Sequence, residues 1–227
     1  MPRLLHDEAE FGRAAENMVQ GQLRFRGVTN TRVLDAMRMI PRHLFLAPEL
    51  RGRAYEDVAL PTLDDQTISQ PYMVAVMSAS LGVGPEDVVL EIGAGSGYQT
   101  MILAMLARRV VSIEQHAGLA EQARQRMAEF GITNVDIHVG DGTLGWPDAA
   151  PYDRILVTAG APRVPQPLID QLADPGRLII PVGPRDAQTL NTLEKRHGQI
   201  NETEGLACRF VPLVGAEGWS PTGGPTI

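Results

Sequence analysis

Glu91-Ile92-Gly93-Ala94-Gly95-Ser96-Gly97-Tyr98 decides how this chain folds, because of what stands on either side of it. Before the glycines, Val88-Val89-Leu90-Glu91-Ile92 is a short and nearly continuous apolar run, and after them a helical stretch extends from about Tyr98 to Arg108. A strand, a glycine turn and a helix in that order predict the first step of a parallel α/β sheet. The alternation continues. Val110-Val111-Ser112-Ile113, Val135 to Val139, Arg154 to Thr158 and Leu178 to Val182 read as further strands, with helices from about Gly118 to Phe130 and near Pro167 to Leu172. Strands this apolar belong in a doubly wound sheet covered on both faces. After Pro184 the helices stop, and Thr189 to Lys195 and Leu206 to Val214 read as an antiparallel pair closing one edge.

Upstream of this core the pattern is helical. Phe11, Ala15, Met18, Val19 and Leu23 recur at helical spacings between about Glu8 and Phe25, and a shorter helix from Thr31 to Ile40 is stopped by Pro41. The stretch from Ala47 to Asp65 is irregular. At Ser69-Gln70-Pro71 a helix begins, with Ser69 as its N-cap and Pro71 in its first turn, and it ends near Gly82. The expected organisation is a single domain: a helical segment over 1–82, an α/β core with its C-terminal strands over 83–219, and a flexible tail over 220–227.

Composition narrows the function. With 227 residues, 44% hydrophobic and 21% charged, the chain can bury one good core. A formal net charge of −7 argues against a nucleic-acid partner. The single cysteine, Cys208, cannot form an intrachain disulfide and suits a reducing compartment. His6, His43, His116, His138 and His197 lack metal-ligand spacing, so no metal is expected. No apolar run is long enough to span a bilayer, and acidic residues precede any stretch of signal-peptide length, so the expectation is a cytoplasmic protein without a membrane partner.

Three strand ends carry candidate ligand groups. The glycine loop lets backbone approach a ligand at a helix N-terminus, although a bare glycine cluster is also an ordinary tight turn. The dinucleotide fingerprint needs glycine where this chain has Tyr98. Glu114, ending the second strand, can accept both hydroxyl hydrogens of a ribose; alone it reads as a solvated surface acid. Asp141 in Gly140-Asp141-Gly142 can accept from an adenine amino group, and a flanking N–H can reach a ring nitrogen; alone it reads as a turn. All three together suit adenosine. Trp146 and Tyr152 read as packing residues, Cys208 as a small buried hydrophobe, and Arg108-Arg109 as a helix end complementing its dipole.

These residues resemble a known family. The G-x-G-x-G spacing with Glu91 two residues earlier is similar to class I methyltransferases. From about Met18 to Trp219 the chain resembles protein-L-isoaspartate O-methyltransferases, most specifically at Gln66-Thr67-Ile68-Ser69-Gln70-Pro71. Ile40 to Phe45, Ala54-Tyr55-Glu56-Asp57, Gly140 to Trp146 and Phe210 to Gly215 also match. The resemblance implies a seven-stranded methyltransferase sheet binding S-adenosyl-L-methionine, and methylation of isoaspartyl-containing proteins and peptides by a monomer. It implies Glu91, Gly93 and Gly95 near the methionine portion, Glu114 at the ribose, and Asp141 with Gly142 at the adenine. Thr67, Ile68 and Ser69 should meet the substrate, with Ser69 in the catalytic position as an orienting group. Asp64-Asp65 depart from the glycine common in the family. The alternative is a class I methyltransferase acting on a small-molecule nucleophile, or a binding module that keeps the nucleoside site without the chemistry.

Overall fold

The computed structural model describes residues 2–62 and 66–220, with side chains from Ala9 onward, so Asp64-Asp65 and the tail from 221 lie outside the described residues. The core is a seven-stranded sheet in the order β5-β4-β3-β6-β7-β8-β9. Its strands are β3 (Val88–Ile92), β4 (Arg109–Glu114), β5 (Val135–Val139), β6 (Tyr152–Val157), β7 (Leu172–Val182), β8 (Gln188–Arg196) and β9 (Gln199–Cys208). β3 to β7 run parallel, while β8 lies antiparallel to both β7 and β9. The chain first moves outward from β3 to β5, then returns to the other side of β3 with β6. That reversal makes the carboxyl ends of β3 and β6 the switch point, where open α/β sheets bind ligands.

Helices cover the sheet unevenly. One face packs against α3 (Pro71–Leu81), α4 (Tyr98–Leu106) and α5 (Ala117–Glu129), and against the N-terminal helices α1 (Pro2–Asn17) and α2 (Thr31–Met39). The other face packs on α6 (Gln166–Asp170) and the chain around Trp146. Pleating sorts the strand residues between the two cores: Val89 and Val110 enter the first, Leu90, Ile92 and Val111 the second.

Several elements differ from the sequence reading. The first helix continues as a π-helix over Met18–Arg24, whose wider turn buries Met18, Val19 and Leu23 together. The stretch from Ala47 holds 3-10 turns at Pro48–Arg53 and a two-residue strand, β1 (Leu60–Pro61), paired with β2 (Thr67–Ile68). The helix before β4 ends at Leu106, so Arg109 belongs to a strand, where it pairs with Asp136. The last edge strand lies at Gln199–Cys208 rather than Leu206 to Val214. Its solvent-facing, polar sequence Asn201-Glu202-Thr203-Glu204 gives no apolar signal, and the apolar residues that follow are spent elsewhere.

Candidate active site

A cavity of about 480 Å³ opens at the carboxyl ends of β3, β4 and β6. The glycine loop forms its floor. Gly93 has φ +96, and a Cβ there would collide with the Thr158 hydroxyl. That hydroxyl donates to the carbonyls of Ile92 (2.9 Å) and Gly93 (2.7 Å), fastening the end of β6 to the loop. Gly95, with φ +52, donates its N–H to Glu114 Oε2 at 2.8 Å. Glu114 Oε1 accepts the N–H of His116 at 2.9 Å. A carboxylate has roughly four acceptor positions, so each oxygen retains one for a ligand. Glu114 and Gly142 both line the cavity, as do Ile92 and Ile113.

Two expected residues stand back from it. Glu91 is 0% exposed and lies beneath the loop, where its Oε2 accepts from Thr100 Oγ1 (2.6 Å) and Ser112 Oγ (2.5 Å). It points to the opposite face of the sheet from Ile92, which lines the cavity, because successive strand residues alternate. Burial, with a smaller push from the Glu114 charge, raises its pKa to about 7. Glu91 therefore ties β3 to β4 and α4. Asp141 is largely engaged: its Oδ1 accepts from the backbone and hydroxyl of Thr143, and its Oδ2 from the N–H of Ala216 at 2.7 Å, which leaves one acceptor position on Oδ2. It braces the turn after β5 and leaves Gly142 to face the cavity.

The acceptor side is built by the segment after β2. Ser69 is not the cap of α3. Gln70 occupies the N-cap position with no side-chain bond, and the N–H of Tyr72 is taken by Asp57 Oδ1 at 2.9 Å from a distant loop. Pro71 has no N–H to offer, so the first helix donor is Tyr72, three residues beyond Ser69. Ser69 is held by its main chain: its carbonyl accepts from Arg42 Nη2 at 2.8 Å. Arg42 is itself fully buried, donates from Nε to the Ala54 carbonyl (2.7 Å), and lies 4.8 Å from the Tyr98 ring centroid. Thr67 and Ser69 line the cavity and also a second groove of about 360 Å³, which continues toward Tyr72, Cys208 and Phe210. The two spaces share Thr67, Ser69, Thr158 and Val211.

The remaining wall was not anticipated. Val211, Pro212, Leu213 and Val214 line the cavity as a loop, bridged to Gly160, while Trp219 Nε1 donates to the Gly160 carbonyl at 3.0 Å. Thr158 was also missed as a site residue; its position at the end of a parallel strand beside β3 was the available signal. The packing residues are as expected: Trp146 stacks on His138 at 3.9 Å, and the Tyr152 hydroxyl donates to the Trp146 carbonyl. Cys208 is half-buried at the end of β9, and burial raises its thiol to about 11.

The lining suits a nucleoside with an attached polar chain. It offers a carboxylate with free acceptor positions in Glu114, close backbone approach at the glycines, and a volume in the range of about 300–1,000 Å³ usual for small-molecule sites. The family model of protein-L-isoaspartate(D-aspartate) O-methyltransferases matches residues 13–218. The chain belongs to this family. A protein-L-isoaspartate O-methyltransferase of Methanoculleus marisnigri is 53% identical over 207 residues, covering 91% of this chain and 94% of its own. One from Syntrophobacter fumaroxidans is 52% identical over 209 residues, covering 92% and 98%. A solved protein-L-isoaspartate O-methyltransferase superposes with a TM-score of 0.78 at 31% identity, over 87% of this chain and 65% of that one. A Plasmodium falciparum beta-aspartate methyltransferase, solved with S-adenosyl-L-homocysteine, has the same fold, with a TM-score of 0.77 at 23% identity over 88% and 98% of the two chains.

Proposed function

We propose that this enzyme methylates the free α-carboxylate of L-isoaspartyl residues in damaged proteins and peptides, using S-adenosylmethionine held in the cavity. The observation that carries the reading is the junction of cavity and groove at Thr67 and Ser69, which gives a donor and an acceptor one meeting point. S-adenosylmethionine supplies a methyl group on a sulfonium sulfur. Gly93 and Gly95 approach the methionine portion through their backbone, Glu114 accepts from the ribose diol, and Gly142 presents backbone to the adenine.

A carboxylate is already ionised at neutral pH, so no side chain has to act as a general base. One carboxylate oxygen bonds to the methyl carbon as the methyl–sulfur bond breaks, leaving a methyl ester and S-adenosylhomocysteine. The chain's contribution is position and exclusion of water. The Ser69 hydroxyl, with no helix N–H to cap, can donate to the carboxylate; Thr67 and Ile68 flank it, and the 211–214 loop closes the far side. The following backbone nitrogen then attacks the ester carbonyl carbon and expels methanol, which carries off the nitrogen's proton, and the succinimide that begins repair is formed.

The same reading takes the enzyme as a cytoplasmic monomer without nucleic-acid or membrane partners. A formal net charge of −7 disfavours a phosphate backbone, and among the described residues no helix is long and apolar enough to cross a membrane. The test is transfer of labelled methyl groups to isoaspartyl and aspartyl versions of one peptide. These place the carboxylate one methylene apart along the backbone, so the isoaspartyl form should be methylated and the aspartyl form little or not at all. Equal rates on both would overturn the reading.

A further inference from the structure

The two joined spaces carry opposite charge. Among the described residues, the cavity is lined by Glu114 and by no lysine or arginine, whereas the groove beyond Ser69 is lined by Arg26 and Arg209 and by no acidic residue. These arginines differ in what they have left to offer. Arg26 lies on one wall with Nη1 2.5 Å from Asp57 Oδ2 and its guanidinium carbon 3.3 Å above the centre of the Tyr72 ring. Asp57 thus neutralises it while also holding the start of α3. Arg209 follows β9 on the opposite wall; it is exposed, and its guanidinium has no hydrogen-bond or ion-pair partner among the described residues.

We propose that Arg209 is a specificity-determining residue that selects isoaspartyl sites flanked by an acidic side chain and disfavours those flanked by a basic one. The inference rests on the functional reading above, and names the sequence context that reading leaves open. An isoaspartyl peptide whose carboxylate reaches Ser69 runs its neighbouring residues along the groove, which adjoins the cavity at Thr67 and Ser69. A flanking carboxylate then meets an unpaired guanidinium, able to bind it through two parallel N–H donors. A flanking lysine meets like charge in the same place. The chain as a whole is negative, with a net charge of −7, so long-range attraction would favour basic peptides. A preference for acidic flanks therefore has to come from the groove itself.

The test compares kcat/KM for three isoaspartyl peptides of equal length, with acidic, neutral or basic neighbours on both sides of the isoaspartyl residue. Each is measured with the intact chain, Arg209→Lys, Arg209→Gln and Arg209→Glu, and S-adenosylhomocysteine binding checks that each variant is folded. The unaltered enzyme should favour the acidic over the basic peptide by about five-fold, as an exposed ion pair allows, mainly through KM. Arg209→Lys should retain the order, Arg209→Gln should level it, and Arg209→Glu should invert it. At about 1 M salt, where the screening length falls to about 3 Å, the preference should shrink toward unity. A folded Arg209→Glu enzyme with the original acidic-to-basic ratio overturns the proposal alone. Failure of every isoaspartyl peptide to be methylated overturns the functional reading and the proposal with it.

Discussion

Ser69 is one side chain whose location had two expected uses, a helix cap and an orienting group, and only the first has been taken over by another residue. Asp57 accepts the Tyr72 N–H, and Arg42 holds the Ser69 carbonyl, so among the described residues the hydroxyl itself supports no element of the fold. The consequences for substitution are therefore separable. Ser69→Ala should change stability by less than about 0.5 kcal/mol, as for a side chain outside the packed network. Its turnover should fall about ten-fold or more, because a carboxylate that loses its orienting donor samples unproductive positions. Ser69→Asp should remain folded and bind S-adenosylhomocysteine, yet be nearly inactive, since it sets a negative charge where the substrate carboxylate must lie. An active Ser69→Asp enzyme would mean that the carboxylate approaches from elsewhere.

Elements were legible wherever the chain wrote them in apolar residues, and illegible where polar partners came from afar. β3 to β6 declared themselves by runs such as Val88 to Ile92, and α3 by its proline and apolar stripe. β9 did not, because an edge strand facing water can be built from Asn201, Glu202 and Glu204. Asp57 could not be seen as the group that serves α3, since it stands fifteen residues away. Glu91 was noticed for its spacing to the glycines, but its partners were not legible: strand pleating buries it, and Thr100 and Ser112 hold it. That burial makes a measurable pH signature. The folded pKa is raised from 4.5 to about 7, so folding favours the protonated form. The associated stability is fully present below the unfolded value of 4.5 and is lost as pH rises through about 7, to a total on the order of 3 kcal/mol. Glu91→Gln cannot ionise. Its stability relative to the unaltered protein should climb between about pH 5 and about pH 8, as read by thermal or denaturant unfolding. A difference that stays constant with pH would show that Glu91 does not change protonation state in the folded protein across that window.

On the scale of the whole molecule, the cavity is a property of the complete fold rather than of any segment. Its lining draws on residues 67–69 before α3, the loop after β3, Glu114 at the end of β4, Gly142 after β5, Thr158 after β6 and the 211–214 loop that follows the last strand. An unfolded chain has no such surface, so a ligand that fits binds the folded state alone and raises its stability by mass action. At about one hundred times its dissociation constant, S-adenosylhomocysteine should add about 2.7 kcal/mol. For a chain of 227 residues that corresponds to a rise in Tm of roughly 5–10 °C. NAD should produce no such rise, because buried Tyr98 stands where a dinucleotide site requires glycine for close helix packing. Glu114→Ala provides the control within the site. It removes the proposed acceptor for the ribose diol together with the partner of the Gly95 and His116 N–H groups, and should weaken binding by about 1–3 kcal/mol. The S-adenosylhomocysteine-induced shift, measured against the variant's own unliganded Tm, should therefore shrink or vanish at the same ligand concentration. A full shift in that variant would take Glu114 out of the ligand's reach, and an equal shift with NAD would deny the cavity its preference for a single adenosine.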